Sequence, residues 1–500
     1  MNAGAMTYLQ NVTVVLVGVI TFILVFFYWK YAWERKKMPP GPFPLPIVGN
    51  FLNIQKDGLV PSLTKMARTY GPIYTVYFGT RPFVVLTGYQ IIKEALVEMG
   101  DVFLNRGDLP FLGCIFNHAG LTFANGESWT YLRQFSLLTL RDFGMGKKSL
   151  EEPLQAEAQH LVNHFKSLNG QPFDPITNVI CASTNIISIL VIDKRFDYSD
   201  KKWMDTLADS RKAFHTVSST WGQLYDTFPG IIQYLPGPHR KTFQLLKSLK
   251  DYVKESIKTH QKTLDPACPR DYIDCFLIRM NQEEKNLSTA FHVTNLIETV
   301  FDMFIGASEA TAITIYFSLL MLIKYPELQD KVHEEIDQVI GQERAPKADD
   351  RNHMPYTNAL LHEIQRISDV IPMGLIRSTT RDVTFHGYHI PKGTNVIPML
   401  TTVLNDPSLF ETPEKFNIKH FLDEEGKFKK NNGFMPFSAG KRACIAESLA
   451  RLQLFIFITV ILQNFTLKSI VDPNDLDISP TESGLENLPP THKIKFIARS

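Results

Sequence analysis

The spacing of apolar positions divides the chain into a membrane-like start, a short β region and a long helical body. Residues 12–29 carry no charge and are rich in Val, Ile, Leu and Phe. A run of that length approaches what spans a bilayer as a helix. Further on, 73–78 and 83–87 are dense in Val, Tyr and Phe, and Gly79-Thr80-Arg81-Pro82 between them is a turn signal. Beyond Gln90 the period becomes helical. The longest helical pattern covers about 289–324, with no proline and a single glycine, Gly306. At 1.5 Å per residue it would be roughly 50 Å long. Its C-terminal half is apolar nearly all round, which predicts burial. Asp302 and Glu309 interrupt it, and the clean run 310–323 falls short of a bilayer. It therefore reads as a core helix, although a buried acid at mid-length needs a reason. An amphipathic run follows at 445–465. A second small strand region is predicted at 383–397, with Gly387 and Pro391-Lys392-Gly393 as turns. The predicted class is mainly α with small β-sheets (α+β), preceded by a single N-terminal transmembrane helix.

The flanks of the apolar start give its orientation. Lys30, Arg35, Lys36 and Lys37 follow it and no charged side chain precedes it. The positive-inside rule then puts the C-terminal side in the cytoplasm. A cleaved signal peptide would begin with basic residues and end in small ones. Here the start lacks Lys and Arg, and the apolar core ends in Phe26-Phe27-Tyr28-Trp29, so an uncleaved anchor is expected. Pro39-Pro40-Gly41-Pro42-Phe43-Pro44-Leu45-Pro46 comes next, a stiff and non-helical connector. The expected division is a membrane anchor over 1–32, a basic, proline-rich linker over 33–50 and one large domain over 51–500. The apolar, proline-broken segment 228–236 fits a second membrane-contacting loop and a buried loop equally well.

Composition narrows the function. Of the 500 residues 44% are hydrophobic, enough for a large core, and the formal net charge is only +1. No global field favours nucleic acid. Five cysteines, odd in number, scattered and without a C-x-x-C pair, argue against a disulfide scaffold and a structural zinc site.

Candidate chemistry gathers around Phe437-Ser-Ala-Gly440-Lys441-Arg442-Ala-Cys444. It sets one cysteine after a glycine-bearing loop and before the 445–465 run. A cysteine at a helix N-terminus is where N–H groups and the dipole favour a thiolate. Such a thiolate is one of the axial ligands of haem iron. A lone cysteine behind a loop is more often inert; the whole F-x-x-G-x-R-x-C spacing is specific. Upstream, Glu363 and Arg366 stand at i,i+3 on one helical face, by itself the commonest kind of surface ion pair. Trp129 and Arg133 form W-x-x-x-R, an indole N–H and a guanidinium one turn apart.

In this order, the anchor, the proline hinge, W-x-x-x-R, the long central helix, E-x-x-R and the cysteine loop resemble the cytochrome P450 family. The closest likeness is to the microsomal drug- and fatty-acid-metabolising branch of vertebrates (family 2-like), which Phe143-Gly-Met-Gly-Lys-Lys-Ser149 and Phe434-Met-Pro-Phe437 also resemble. The resemblance covers nearly the whole chain. It implies the haem-thiolate fold, haem b as cofactor, and 51–500 as the catalytic haem-binding domain. Cys444 would be the metal ligand, with Phe437 beside it, and Arg106, Trp129, Arg133, Arg377 and Arg442 would hold the cofactor. By weaker matching, Phe123, Gly306, Ala310, Leu375 and Leu485 would line the substrate pocket, although core packing accounts equally for Phe123, Leu375 and Leu485. The implied partners are an NADPH-dependent flavoprotein reductase, cytochrome b5, a lipophilic substrate with O2, and the bilayer. The implied site is the endoplasmic reticulum membrane, single-pass, with the catalytic domain on the cytoplasmic side.

Three departures qualify that likeness. The family's central helix usually carries an acid followed by threonine, which deliver protons during dioxygen reduction. Here Gly306-Ala307-Ser308-Glu309-Ala310 keeps the acid and loses the hydroxyl. Ser308 and Thr311 are the possible stand-ins, each off the face of position 310 by helical geometry. Ala446 stands where the family has glycine. In Pro413-Glu414-Lys415-Phe416-Asn417-Ile418-Lys419-His420-Phe421, His420 replaces an arginine and Ile418 a proline. The leading reading is a monooxygenase with Glu309 in proton delivery. Ala310 keeps open a haem-thiolate isomerase or dehydratase that acts on peroxides without external electrons. A non-catalytic haem or lipid-binding membrane protein is the third reading.

Overall fold

The computed structural model describes residues 12–16, 18–19, 21–22, 35–54 and 58–499. The expected anchor over 1–32 falls mostly outside them; its described pieces are helical, with exposed side chains such as Val14 and Phe22. The rest is mainly helical with small sheets.

The central helix, Val293–Lys324, runs through the main core. Its most apolar window is 83% buried, so a membrane span is the wrong account of its composition. Ile313, Ile315, Leu319 and Leu320 have no exposed surface. It packs on the helices Ile176–Ile192 and Glu447–Asn464. It starts at 293 rather than 289 because His292 is its N-cap, with Nδ1 accepting from Asn295 N–H at 3.3 Å.

The main sheet has five strands. Ile73–Phe78 pairs antiparallel with Arg81–Leu86, which runs parallel to Asn395–Pro398. Arg377–Ser378 and Asn105–Arg106 complete it. The register sets Arg106 directly opposite Arg377. Two residues far apart in sequence thus share one strand pair at the edge of the sheet.

The proline-rich segment is stitched to this sheet rather than hanging free. Thr75 N–H donates to Pro40 O (2.7 Å), and Asn50 and Tyr77 exchange hydrogen bonds through Asn50 N–H to Tyr77 O (2.7 Å) and Tyr77 N–H to Asn50 Oδ1 (2.8 Å). Gly41 is required there: a Cβ would lie 1.9 Å from Thr75 O. Segment 228–236, open to two readings from sequence, contains a short helix, Pro229–Ile232, and is exposed. Ile231 is 60% and Tyr234 74% accessible, and the Phe228 ring lies 6.4 Å from Phe51.

Candidate active site

One cavity of about 290 Å3 collects most of the chemistry-bearing residues. The central helix, the helix Gly126–Asp142, the Arg106/Arg377 strand pair and the loop before Glu447–Asn464 wall it. The loop closes when Cys444 N–H donates to Phe437 O at 3.0 Å. Gly440 takes φ +71°, and a Cβ there would sit 1.8 Å from Leu96 O, so no other residue fits.

Cys444 faces into the cavity yet is deep in the protein. Burial pushes its thiol up, against the Ala446 N–H, which hydrogen-bonds the sulfur, and the Arg133 charge. The expected N–H contribution is present in the Ala446 hydrogen bond, and burial opposes it. The helix begins only at Glu447, whose carboxylate adds to the opposing effect. A bound metal cation would act against that shift, since a coordinating thiol is deprotonated.

The opposite demand comes from four guanidiniums. Arg442 is anchored through Nη2 to Ala124 O (2.7 Å) and Asn125 Oδ1 (3.0 Å), and lies 3.8 Å over the Trp129 ring. Arg133 Nη2 donates to Ala443 O (2.7 Å), tying W-x-x-x-R to the cysteine loop. Burial first, and the neighbouring guanidiniums second, push Arg442 down to about 7 and Arg377 down to about 8. Arg106 is pushed down to about 10. Arginine holds its proton in proteins. The cluster therefore calls for anions, and Arg377 Nε has no partner among the described residues.

A family model, Cytochrome P450, matches residues 39–496. The chain belongs to the cytochrome P450 family. Similar proteins include cytochrome P450 2C23 of Rattus norvegicus, 47% identical over 97% of this chain and 99% of that protein. Cytochrome P450 2G1 of Oryctolagus cuniculus is 45% identical over 97% and 99%. Cytochrome P450 2A5 of Mus musculus is 44% identical over 97% and 98%. The chain is a P450 monooxygenase of the family 2 type, with haem b and a cysteine thiolate axial ligand. The cavity fits that cofactor: one thiol opens into it, and several guanidiniums with an unpartnered N–H suit two propionates.

Gly306, Ala310, Thr311 and Leu375 line the cavity, as do Arg106, Trp129, Arg133, Arg377, Phe437, Arg442 and Cys444. Thr311 reaches it without distortion of the helix, because the wall is broad enough to touch 303, 306, 307, 310, 311 and 314. Ser308, Glu309, Phe123 and Leu485 do not line it. The Ser308 hydroxyl turns back to donate to Phe304 O. The Phe123 ring stacks on Phe116 at 4.6 Å, and Leu485 packs against the main core. Glu309 is buried elsewhere on the helix, and desolvation pushes its carboxyl up to about 7.

Sequence reasoning missed two residues on this wall. Thr314 lines the cavity one turn beyond Ala310 and donates its hydroxyl to Ala310 O at 2.8 Å. Asp302, noted only as an interruption, lines the cavity and accepts from Thr122 N–H at 2.9 Å, pinning the 120–122 turn. Burial holds it well above the usual carboxylate range. Its i,i+4 relation to Gly306 was the available signal.

The E-x-x-R pair is fully buried. Arg366 donates to both Glu363 oxygens (2.7 and 2.8 Å) and to three carbonyls, Leu404 (3.0 Å), Pro413 (2.7 Å) and Lys415 (3.0 Å). Glu363 also accepts from Asn417 N–H at 2.8 Å. His420 takes the third place: Nε2 accepts from Thr412 N–H (3.3 Å), so Nδ1 carries the proton and donates to Glu363 (3.1 Å). A single ring proton suffices, and no positive charge is needed.

Proposed function

We propose that this P450 inserts one atom of O2 into a lipophilic substrate, a fatty acid, steroid or xenobiotic. Electrons come from NADPH through a membrane-bound flavoprotein reductase, with cytochrome b5 as auxiliary donor. It works at the cytoplasmic face of the endoplasmic reticulum membrane. The carrying observation is the meeting of the Cys444 thiol, four arginines and the apolar face of the central helix in one cavity. We place the anchor at 1–32, the linker at 33–50 and the catalytic domain at 51–500. The exposed apolar side chains of Phe43, Ile47, Leu52, Ile231 and Tyr234 support a second contact with the bilayer.

The haem, when bound, supplies the reductive activation of O2. Cys444 is the residue assigned to ligate it, and Arg106, Trp129, Arg133, Arg377 and Arg442 to fix its carboxylates. Gly440 and the Phe437–Cys444 bond hold the sulfur in place. Met303, Gly306, Ala310 and Leu375 shape the substrate side and exclude water from it. Glu309, its carboxyl pushed up to about 7 by desolvation, is the proton carrier assigned one residue from Ala310, with Thr311 as the hydroxyl on the wall; Ser308 is spent on Phe304 O.

Replacing Cys444 by serine tests the assignment. The reduced carbonyl complex of the variant is expected to lack the thiolate-type Soret band; a retained band removes Cys444 from the site. Product analysis with reductase, NADPH and a mixed panel of lipids and drugs then sorts the substrate class.

A further inference from the structure

Away from the cavity, one buried histidine is held between two acceptors. His260 stands near the end of the helix Pro238–Thr263, and Asp271 is the N-cap of the helix Tyr272–Gln282. The histidine is 8% exposed, and Asp271 and Asp274 are fully buried. His260 Nδ1 lies 2.7 Å from Ser256 O, and Nε2 lies 2.6 Å from Asp271 Oδ2. A carbonyl oxygen only accepts, so Nδ1 carries a proton. Asp271 Oδ1 accepts the Asp274 N–H at 3.0 Å, the N-cap role of a carboxylate. With Oδ2 also an acceptor, Nε2 carries a second proton. The ring is therefore an imidazolium; a neutral one would set a lone pair against a lone pair.

The surroundings balance that charge. Arg270 Nε donates to Asp274 Oδ2 (2.6 Å) and Nη2 to Asp274 Oδ1 (2.9 Å). Two cations thus meet two anions, the condition under which charge is buried. The charges acting on the ring are those of Asp271 and Asp274; Arg270 stands on Asp274, and Asp193, the C-cap of the helix Ile176–Ile192, acts on Arg270. Burial works against the imidazolium, but the Asp271 and Ser256 hydrogen bonds and the two carboxylate charges outweigh it and hold the ring above its ordinary value. By position alone His260, Asp271 and Asp274 could also hold a metal ion. Arg270 already occupies both Asp274 oxygens, which favours the proton.

From this pair a chain of contacts leads to the cofactor side. Tyr272 follows Asp271, and its hydroxyl lies 2.8 Å from Ser136 Oγ, both residues being fully buried. Ser136 is on the helix Gly126–Asp142, one turn beyond Arg133. The neighbouring Phe135 ring packs edge-on against Tyr272 (5.5 Å), Phe276 (5.6 Å) and Phe291 (5.1 Å).

We infer that protonated His260 is a pH-sensitive staple that pins Asp271 and, through Tyr272 and Ser136, braces the helix carrying Trp129 and Arg133. Loss of the ring proton frees the 238–263 helix from Asp271 and loosens the brace. The staple stands on its hydrogen bonds; its effect on haem rests on the assignment of Trp129 and Arg133 to the cofactor. His260 acts through other residues and is a positioning residue. A ring held above its unfolded value, about 6.5, stabilises fully below that pH and gives the stability up as pH rises through the folded value.

The test follows haem release and thermal unfolding of the full-length holoenzyme between about pH 6 and about pH 9, on either side of the ring's titration, for wild type, His260→Gln and Tyr272→Phe. At the acid end His260→Gln is expected to release haem about tenfold faster than wild type, the worth of one charge-assisted hydrogen bond. That ratio should shrink towards one as pH rises. Tyr272→Phe should keep the pH dependence of unfolding and flatten that of haem release. A ratio that does not change with pH overturns the protonated staple. So does stabilisation by zinc of wild type but not of His260→Gln, which would put a metal on Nε2. A pH-dependent ratio with wild-type haem release in Tyr272→Phe overturns the link to haem and leaves the staple standing. If His260→Gln does not fold, Asp271→Asn, which keeps an N-cap oxygen, takes its place, and an unchanged pH dependence in that variant overturns the staple.

Discussion

Replacing Arg366 by methionine is the sharpest test of what its buried guanidinium holds together. The guanidinium is fully buried and makes five hydrogen bonds, two to Glu363 and three to the carbonyls of Leu404, Pro413 and Lys415. Its loss strands the Glu363 charge, a cost of about 3–5 kcal/mol for a broken buried pair. Each abandoned carbonyl adds about 1 kcal/mol or more. The sum reaches the ~5–15 kcal/mol that holds a whole domain together, so Arg366→Met is expected to express without haem. The informative variant is Glu363→Met with Arg366→Met. Replacing both members of a buried pair by apolar groups is often neutral. Here the three carbonyls and the Asn417 N–H would still be orphaned, so the double variant should remain about 4 kcal/mol below wild type. Haem content and urea midpoint of the detergent-solubilised proteins read the effect. A double variant within ~1 kcal/mol of wild type, with normal haem content, would refute the claim that the guanidinium serves the backbone rather than its ion-pair partner.

Two further outcomes follow from the cavity. Ala310→Thr should raise product formed per NADPH by about fivefold, the worth of roughly one hydrogen bond; no change in coupling would mean that protons arrive independently of a hydroxyl at 310. Gly440→Ala meets Leu96 O and a left-handed backbone at once. It should cost more than ~2 kcal/mol and lower haem occupancy, read as Soret absorbance per protein; full occupancy would mean that the loop has room to move.

What was legible in the sequence is what covalent spacing fixes. Phe437, Gly440, Arg442 and Cys444 share one tight loop, and Trp129 and Arg133 are one turn apart, so their neighbourhoods follow from chain geometry. The helix and strand positions were read to within a few residues for the same reason: the central helix begins at 293 instead of 289, and the last long helix at 447 instead of 445. The remainder depends on which surfaces meet. The register that faces Arg106 with Arg377 is set by a strand pair closed across the whole fold. The C-terminal hairpin meets the cavity wall only because Asn487 reaches across to Asp369 and Val370. Leu485, in the same hairpin, was matched to the pocket, but it turns into the core. Thr314 reaches the cavity from one turn beyond Ala310, a position that no local motif marks.

Arg366 grips the chain at 404, 413 and 415 by main-chain oxygens alone. Peptide oxygens are present whatever side chain the gene encodes. That stretch is thus free to drift in sequence so long as its path is kept, whereas His420, beyond it, joins the clasp through its own ring. Comparing letters there undercounts kinship; comparing the course of the backbone does not.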